Sequence, residues 1–232
     1  AIIPLTYTKR NVEGIELPES DEVPQTNGEE EALKAQPEHL NPAAYEVLIQ
    51  AKYPWNLPFH LWQEETHVYL DHMGVPRHHL VELLHPNNHN DKPWALSYLN
   101  LFPEVWTLIS TSDPSPISLS LNWSKDPQSI IQGSLDNFMA LADLTYEEVK
   151  QLIQCRFINS SGSLSLALLD CSLEASSLDG LTLKHLDRIH RFERLRGRLG
   201  WSIYDLDRAI NAFNAQELND ELLIHLAFTQ YI

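Results

Sequence analysis

Histidines and cysteines are the residues best suited to chemistry in this sequence, which has eleven of the first and two of the second. His72, His78, His79, His85 and His89 lie close together, and His85 and His89 stand four apart. On a helix that spacing puts two imidazoles on one face, where they can share a divalent metal. The intervening "HPNNH" contains Pro86 and two Asn, which disfavours such a helix. No HExxH occurs, nor a His pair with a carboxylate in a metalloenzyme context. Solvated or hydrogen-bonded histidines are therefore expected, and a zinc hydrolase is the weaker reading. Cys155 and Cys171 allow one disulfide, but form no CxxC and carry no local signature of a thiol nucleophile. A GxSxG elbow, a P-loop and a dinucleotide glycine pattern are all missing. The expectation is no catalytic residue, no metal and no cofactor.

One stretch concentrates positive charge. "KHLDRIHRFERLRGRLG" carries six Lys/Arg between Lys184 and Arg198. On a helical wheel Ile189, Phe192, Leu195 and Leu199 make an apolar face with Arg191, Arg194 and Arg198 opposite. Asp187 precedes Arg191 by four residues, an ion-pair spacing. Glu193 and Arg196 fall at about 340° and 280° with Leu186 as zero, on the side shared with Ile189, and their three-residue spacing lets them pair. The charged positions Arg191, Glu193, Arg194, Arg196 and Arg198 read as a solvated or salt-bridged face, with a protein interface as the alternative. Nucleic acid is disfavoured by the rest of the chain, whose 32 acidic against 16 basic residues give −16.

Elements that position these residues can be read along the chain. Residues 1–39 are predicted to form a largely disordered acidic arm, because nine Asp/Glu between 13 and 38 face only Lys34 amid Pro18, Pro24, Pro37 and Gly28. A helical lobe is expected over 40–112, a Ser/Pro-rich joint over 113–134 and a second helical lobe over 135–232. Asn41 caps the first helix with Pro42 at its first position. Pro58 opens the next, with Leu61, Trp62, Val68, Tyr69 and Met73 along one side and Gly74 at its end. Further helices are expected over 77–85, 92–100, 103–111, 135–142, 146–156, 183–199, 203–213 and 217–230. "ISLSL" at 117–121 and "SLSLALL" at 163–169 alternate as strands do, the latter in a small β-hairpin near 163–173. The fold class is thus mainly α. No apolar run approaches the ~20 residues that span a bilayer, and the N-terminus lacks a signal-peptide apolar region. The chain opens without Met, as a piece of a longer one would.

A helix–tight turn–helix device recurs four times. In "MGVPRHHLVELL", "LNLFPEVWTLI", "LADLTYEEVKQLI" and "LGWSIYDLDRAI", an apolar residue precedes the cap and another follows five positions later. The pairs are Val75 with Leu80, Leu101 with Trp106, Leu144 with Val149, and Trp201 with Leu206, the spacing of a hydrophobic staple. Thr145 and Ser202 serve as caps with Glu148 and Asp205 at the third helical position, whereas Pro76 and Phe102–Pro103 start the other two. Steps of 26, 43 and 57 residues rule out a fixed-period solenoid and leave irregularly stacked helix–turn–helix units.

Three long stretches carry a resemblance: "NPAAYEVLIQAKYPWNLPFHLWQEETHVYLDHMGVPRHHLVELL", "LDNFMALADLTYEEVKQLIQCRFIN" and "SLDGLTLKHLDRIHRFERLRGRLGWSIYDLDRAI". They are similar to the A component of the insecticidal Tc toxin complexes, the virulence plasmid A protein family. The resemblance implies a segment of the α-helical shell of a very large, pore-forming, cell-binding subunit that delivers a toxic enzyme into target cells. It implies pentameric self-assembly of the parent, partnership with toxin B–C components and a host cell-surface receptor, and secretion or display by a bacterium. Membrane contact would come only through the parent's pore region, and no catalytic residue is carried over. Glu193 and Arg196 depart from the apolar residues the family has before "LGW", so this helix face is expected to meet solvent or a polar contact. The runner-up is a free-standing helical adaptor related to the shell.

Overall fold

Most helices begin where a proline or a short polar side chain meets the first free backbone N–H groups. The computed structural model of the protein describes residues 42–84, 91–169 and 172–232. The expected arm over 1–39, the Asn41 cap, His85, His89 and Cys171 lie outside these residues.

Twelve helices and one hairpin occur among the described residues. In order they are α1 (Pro42–Gln50), α2 (Leu61–His72), α3 (Arg77–Leu84), α4 (Lys92–Tyr98), α5 (Pro103–Ser110), α6 (Pro116–Trp123), α7 (Pro127–Ile131), α8 (Leu135–Ala142), α9 (Tyr146–Gln154), β1 (Ser165–Leu169), β2 (Ser172–Asp179), α10 (Leu183–Leu199), α11 (Ile203–Ala212) and α12 (Asp220–Tyr231). The fold is mainly α with a small antiparallel hairpin. Leu166 pairs with Leu178 and Ser165 with Asp179, so the second strand runs beyond the expected end at 173. Helix α2 starts after His60, not at Pro58, and His60 provides no side-chain cap.

One expectation for 113–134 is corrected. "ISLSL" is helical, because Ser115 accepts from the Ser118 N–H at 3.3 Å and Pro116 occupies the first helical position. Its buried apolar positions, Leu119 and Trp123, are four apart, with buried Asn122 beside them, a helical period that the local alternation hid. Asp126 and Pro127 repeat the device at α7, where the Asp126 carboxylate accepts from the Ser129 N–H at 2.9 Å. Leu119, Trp123 and Ile130 of this segment belong to the buried core, and α6 and α7 both pack on α10. Residues 43–232 form one compact unit.

The staple positions are placed as follows. Leu101, Trp106, Leu144, Val149 and Leu206 are buried, while Val75, Leu80 and Trp201 are half-buried. Thr145 and Glu148 form a reciprocal capping box, with Glu148 N–H to Thr145 Oγ1 at 3.3 Å and Thr145 N–H to Glu148 Oε2 at 2.9 Å. Ser202 Oγ accepts from the Asp205 N–H at 3.1 Å. The shorter Asp205 carboxylate meets the Ser202 hydroxyl at 2.6 Å instead of closing a box.

A helical core surrounds α10, which contacts α5, α6 and α7, while α9 packs on α11 and α12 on α4. The chain enters α10 through Gly180, at φ +77°, where a Cβ would stand 2.0 Å from the main-chain oxygen of Ser163. Gly74 also has positive φ, +67°, but open space around its missing Cβ. Gly74→Ala is therefore expected to cost only the left-handed strain, about 1–2 kcal/mol. Gly180→Ala should cost clearly more, because main chain must move as well. Urea unfolding of the two variants checks the ranking, and equal losses would contradict the close approach at Gly180.

Candidate functional site

Helix α10 has the densest collection of ionisable groups in the described structure. Eleven consecutive residues, 185–195, are buried, so the helix is enclosed on every side and not along one stripe. Unpartnered charges in such a place are costly, so each polar group must find a partner within the fold.

Asp187, 1% exposed, accepts from the Ser112 hydroxyl at 2.9 Å and the Asp113 N–H at 3.1 Å. It also takes Arg191 Nε at 3.0 Å. Arg191, fully enclosed, reaches Glu217 at 2.7 Å with Nη2. Arg188 joins the same carboxylate at 2.7 Å, donates to the Phe157 carbonyl at 2.7 Å and lies over the Phe157 ring. Burial favours a neutral Asp187, but His190, Arg191 and Ser112 outweigh it and bring the carboxyl down to about 2. Burial likewise raises Glu217, and the two arginines overcome it and hold this acid below its ordinary value.

Arg194 is committed to main chain. Its Nη1 donates to the carbonyls of Trp55 at 3.1 Å and Leu57 at 2.6 Å, and its Nη2 to that of Lys52. One guanidinium thereby fixes the turn leading from α1 toward α2. Burial, with Arg198 nearby, lowers this group to about 10, still a cation at neutral pH.

Glu193 is buried and Arg196 half-buried, and they pair at 2.7 Å. Arg196 also meets Glu148 at 3.3 Å, which couples the α9 capping box to α10. Of the two expected surroundings, solvent or a polar contact, the polar contact is the one present for Glu193. Arg191 and Arg194 are likewise no surface stripe, since both are enclosed by the loops they bind. Arg198 remains half-exposed.

Sequence reasoning missed Arg188, the partners Ser112, Asp113 and Glu217, and three further members, Thr182, His185 and His190. Thr182 and His185 make a reciprocal capping box, with His185 N–H to Thr182 Oγ1 at 3.3 Å and Thr182 N–H to His185 Nδ1 at 3.2 Å. That bond requires an unprotonated Nδ1. Burial also lowers the affinity of His185 for its second proton. His190 is buried with neither ring nitrogen hydrogen-bonded, and its Nε2 lies 3.5 Å from Asp187 without the alignment of a hydrogen bond. Burial holds it neutral against the opposing pull of Asp187. The available signal was the choice of cation. The single Lys of the helix, Lys184, is exposed, while the positions that face loops are Arg, whose fork suits carbonyls and carboxylates.

The remaining candidates are dispersed. His72 is exposed on α2, and His78 packs edge-on against Trp94, Tyr98 and Tyr231. Among the described residues no three His, Cys, Asp or Glu are grouped to hold a metal ion. Cys155 is a buried free thiol whose pKa burial pushes far up. An open groove of about 380 Å³ is lined by Trp201, Asp205, Arg208 and Ala209, and it includes no residue of α10. No described helix is long and apolar enough to cross a membrane. The arrangement on α10 thus holds loops in place. Compared with protein-family models, curated proteins and solved structures, the chain matches none.

Removing Asp187 leaves Arg191 with less compensation, so Asp187→Ala should cost about 3–5 kcal/mol. The pH dependence has separate limbs. Asp187 and Glu217 titrate lower folded than unfolded, so their contribution is present above their ordinary values of 3.8 and 4.5. It is lost as pH falls toward about 2 for Asp187. His185 and His190 accept protons more readily unfolded, so their contribution is full above 6.5 and declines as pH drops below it. Glu193, raised by burial, runs the other way and loses its contribution as pH rises above 4.5 through its folded value. In urea titrations from pH 7 to 5, His190→Leu should flatten the decline while His185 preserves part of it. An unaltered slope would remove His190 from the account.

Proposed function

We propose that the chain is a non-enzymatic structural segment of the α-helical shell of a Tc-type toxin A component. The carrying observation is the resemblance of three long stretches, in order, over residues 41–84, 135–159 and 177–210. The mainly α fold is compatible with this role. A scaffolding role also suits a helix whose charged groups are consumed by the loops around it, because such a body carries load and keeps its surface for contacts. Under this reading the parent assembles as a pentamer, works with B–C components and a host receptor, and is secreted or displayed by a bacterium. The exposed apolar residues of α2 favour one second reading, a free-standing helical adaptor.

Isolation from the natural source with an antibody against this chain distinguishes the two readings. The shell reading expects a polypeptide many times 26.6 kDa that forms bell-shaped pentameric particles in negative stain. A discrete 26.6 kDa protein would overturn it in favour of the adaptor. A chelator should leave the melting temperature unchanged, and stoichiometric zinc with a chelator-sensitive melt would overturn both.

A further inference from the structure

Helices α1 and α2 are attached to the rest of the chain at few points. Neither buries a described residue, whereas each of α4–α12 buries at least one. The pair has a small interior of its own. The Tyr45 and Phe59 rings stack at 6.1 Å, and the Phe59 N–H donates to the Leu48 carbonyl at 3.1 Å. Among the described large apolar side chains of residues 42–73, Trp55 is the one packed against the core.

The attachment is concentrated in the loop between the two helices. Arg194 of α10 holds the carbonyls of Lys52, Trp55 and Leu57. The Tyr53 hydroxyl donates to the Leu141 carbonyl of α8 at 2.8 Å, and Trp55 Nε1 to the Asn122 carbonyl of α6 at 3.3 Å. The Trp55 ring stands edge-on to Trp123 at 5.0 Å, and Pro58 is buried. Beyond this loop the contacts thin out. His60 lies 4.7 Å from the Phe102 ring and 3.5 Å from Glu104, and Gln63 Nε2 donates to the Leu101 carbonyl at 3.4 Å. Further along α2 the polar contacts stay within the helix, Thr66 with Trp62 and His67 with Asp71. After Gly74 the chain is fastened again, since α3 packs on α4 and Trp94 Nε1 donates to Glu82 at 2.8 Å.

We propose that residues 42–73 are a strap that opens as one unit, hooked by residues 52–58 and hinged at Gly74, while α3–α12 stay folded. A segment opens cooperatively when its internal contacts outlast those it makes with the body. The stacked rings and the Phe59–Leu48 bond keep α1 and α2 together once the hook is free. Arg194 suits a hook because one planar fork takes three carbonyls, so a displacement of the loop loses all of them together. Gly74 suits a hinge because open space surrounds its missing Cβ at φ +67°, so the chain can turn there without a clash. Opening uncovers the Arg194 guanidinium and the edge of Trp123, a cation and an indole that the closed strap conceals.

The inference does not rest on the shell reading. Native-state hydrogen exchange of the full chain, read peptide by peptide in a mass spectrometer, tests it. Both α1 and α2 should share one level of protection, roughly 100-fold or more below that of α10. Tyr53→Phe removes one hydrogen bond of the hook and should speed exchange in both helices about fivefold. The effect should reach residues 66–73, which lie outside the hook, and leave α3–α12 unchanged. Lys150→Gln, which breaks a surface ion pair of α9, should alter neither helix. Protection of α1 and α2 equal to that of α10 overturns the proposal, because the strap would then open only with the whole fold. An effect of Tyr53→Phe confined to the loop, or spread over α4–α12, overturns it as well. So does opening of α3 together with α2, which removes the hinge from Gly74.

Discussion

The rest of the structure depends on one constraint: α10 is enclosed on all sides while carrying ionised side chains. An apolar helix in that position could be covered by almost any apolar surface. A charged one accepts only surroundings that supply carbonyls, hydroxyls and opposite charges at hydrogen-bond distance. Asp187 therefore fixes residues 112–113, Arg188 fixes 157 and 216–217, and Arg194 fixes 52–57. Irregular chain segments far apart in sequence are held by the most demanding groups in the core.

Tryptophan extends the same logic. Trp94, Trp106 and Trp123 are fully enclosed, and each indole N–H has an acceptor: Glu82 at 2.8 Å, Asp220 at 2.8 Å and the Leu186 carbonyl at 3.3 Å. Asp220 also receives Lys92 at 2.8 Å, which ties the start of α12 to the start of α4. Each ring contributes a large apolar area, and its single polar atom selects the neighbour it must lie against. Packing supplies most of the free energy of such a core. Polar pairs decide which of several packings is adopted.

Legibility in the sequence followed the range of the forces involved. Helix starts that depend on residues within one turn, such as Thr145–Glu148 and Ser202–Asp205, were readable because the cap and the N–H it satisfies are local. The α6 start was equally local, but the Leu/Ser alternation of "ISLSL" competed with the Ser115–Pro116 signal and concealed it. The environment of α10 was not local. Its wheel predicts one apolar and one charged face, and nothing within 183–199 states that carbonyls from 52–57 and a carboxylate from 217 cover the charged one. The Thr182–His185 box escaped because histidine stands where glutamate is expected, and a ring nitrogen accepts as a carboxylate does only while it is unprotonated.

The contrast between α10 and α2 shows how burial divides the work. Residues with reactive potential, among them His190, Asp187 and Cys155, are spent inside, where desolvation holds the histidine neutral and the thiol protonated. Large apolar side chains lie outside above all on α2, where Trp62 and Tyr69 form an exposed stripe and Glu64 and Asp71 lie on the opposite side of the helix. A cover for that stripe needs shape and apolar area more than charge. The α10 network demands the opposite, since a small displacement of Asp187 or Glu217 would leave an arginine short of partners at the centre of the fold. Helix α2 can therefore yield to a partner at little cost to the body, while α10 cannot move without disturbing every loop it holds.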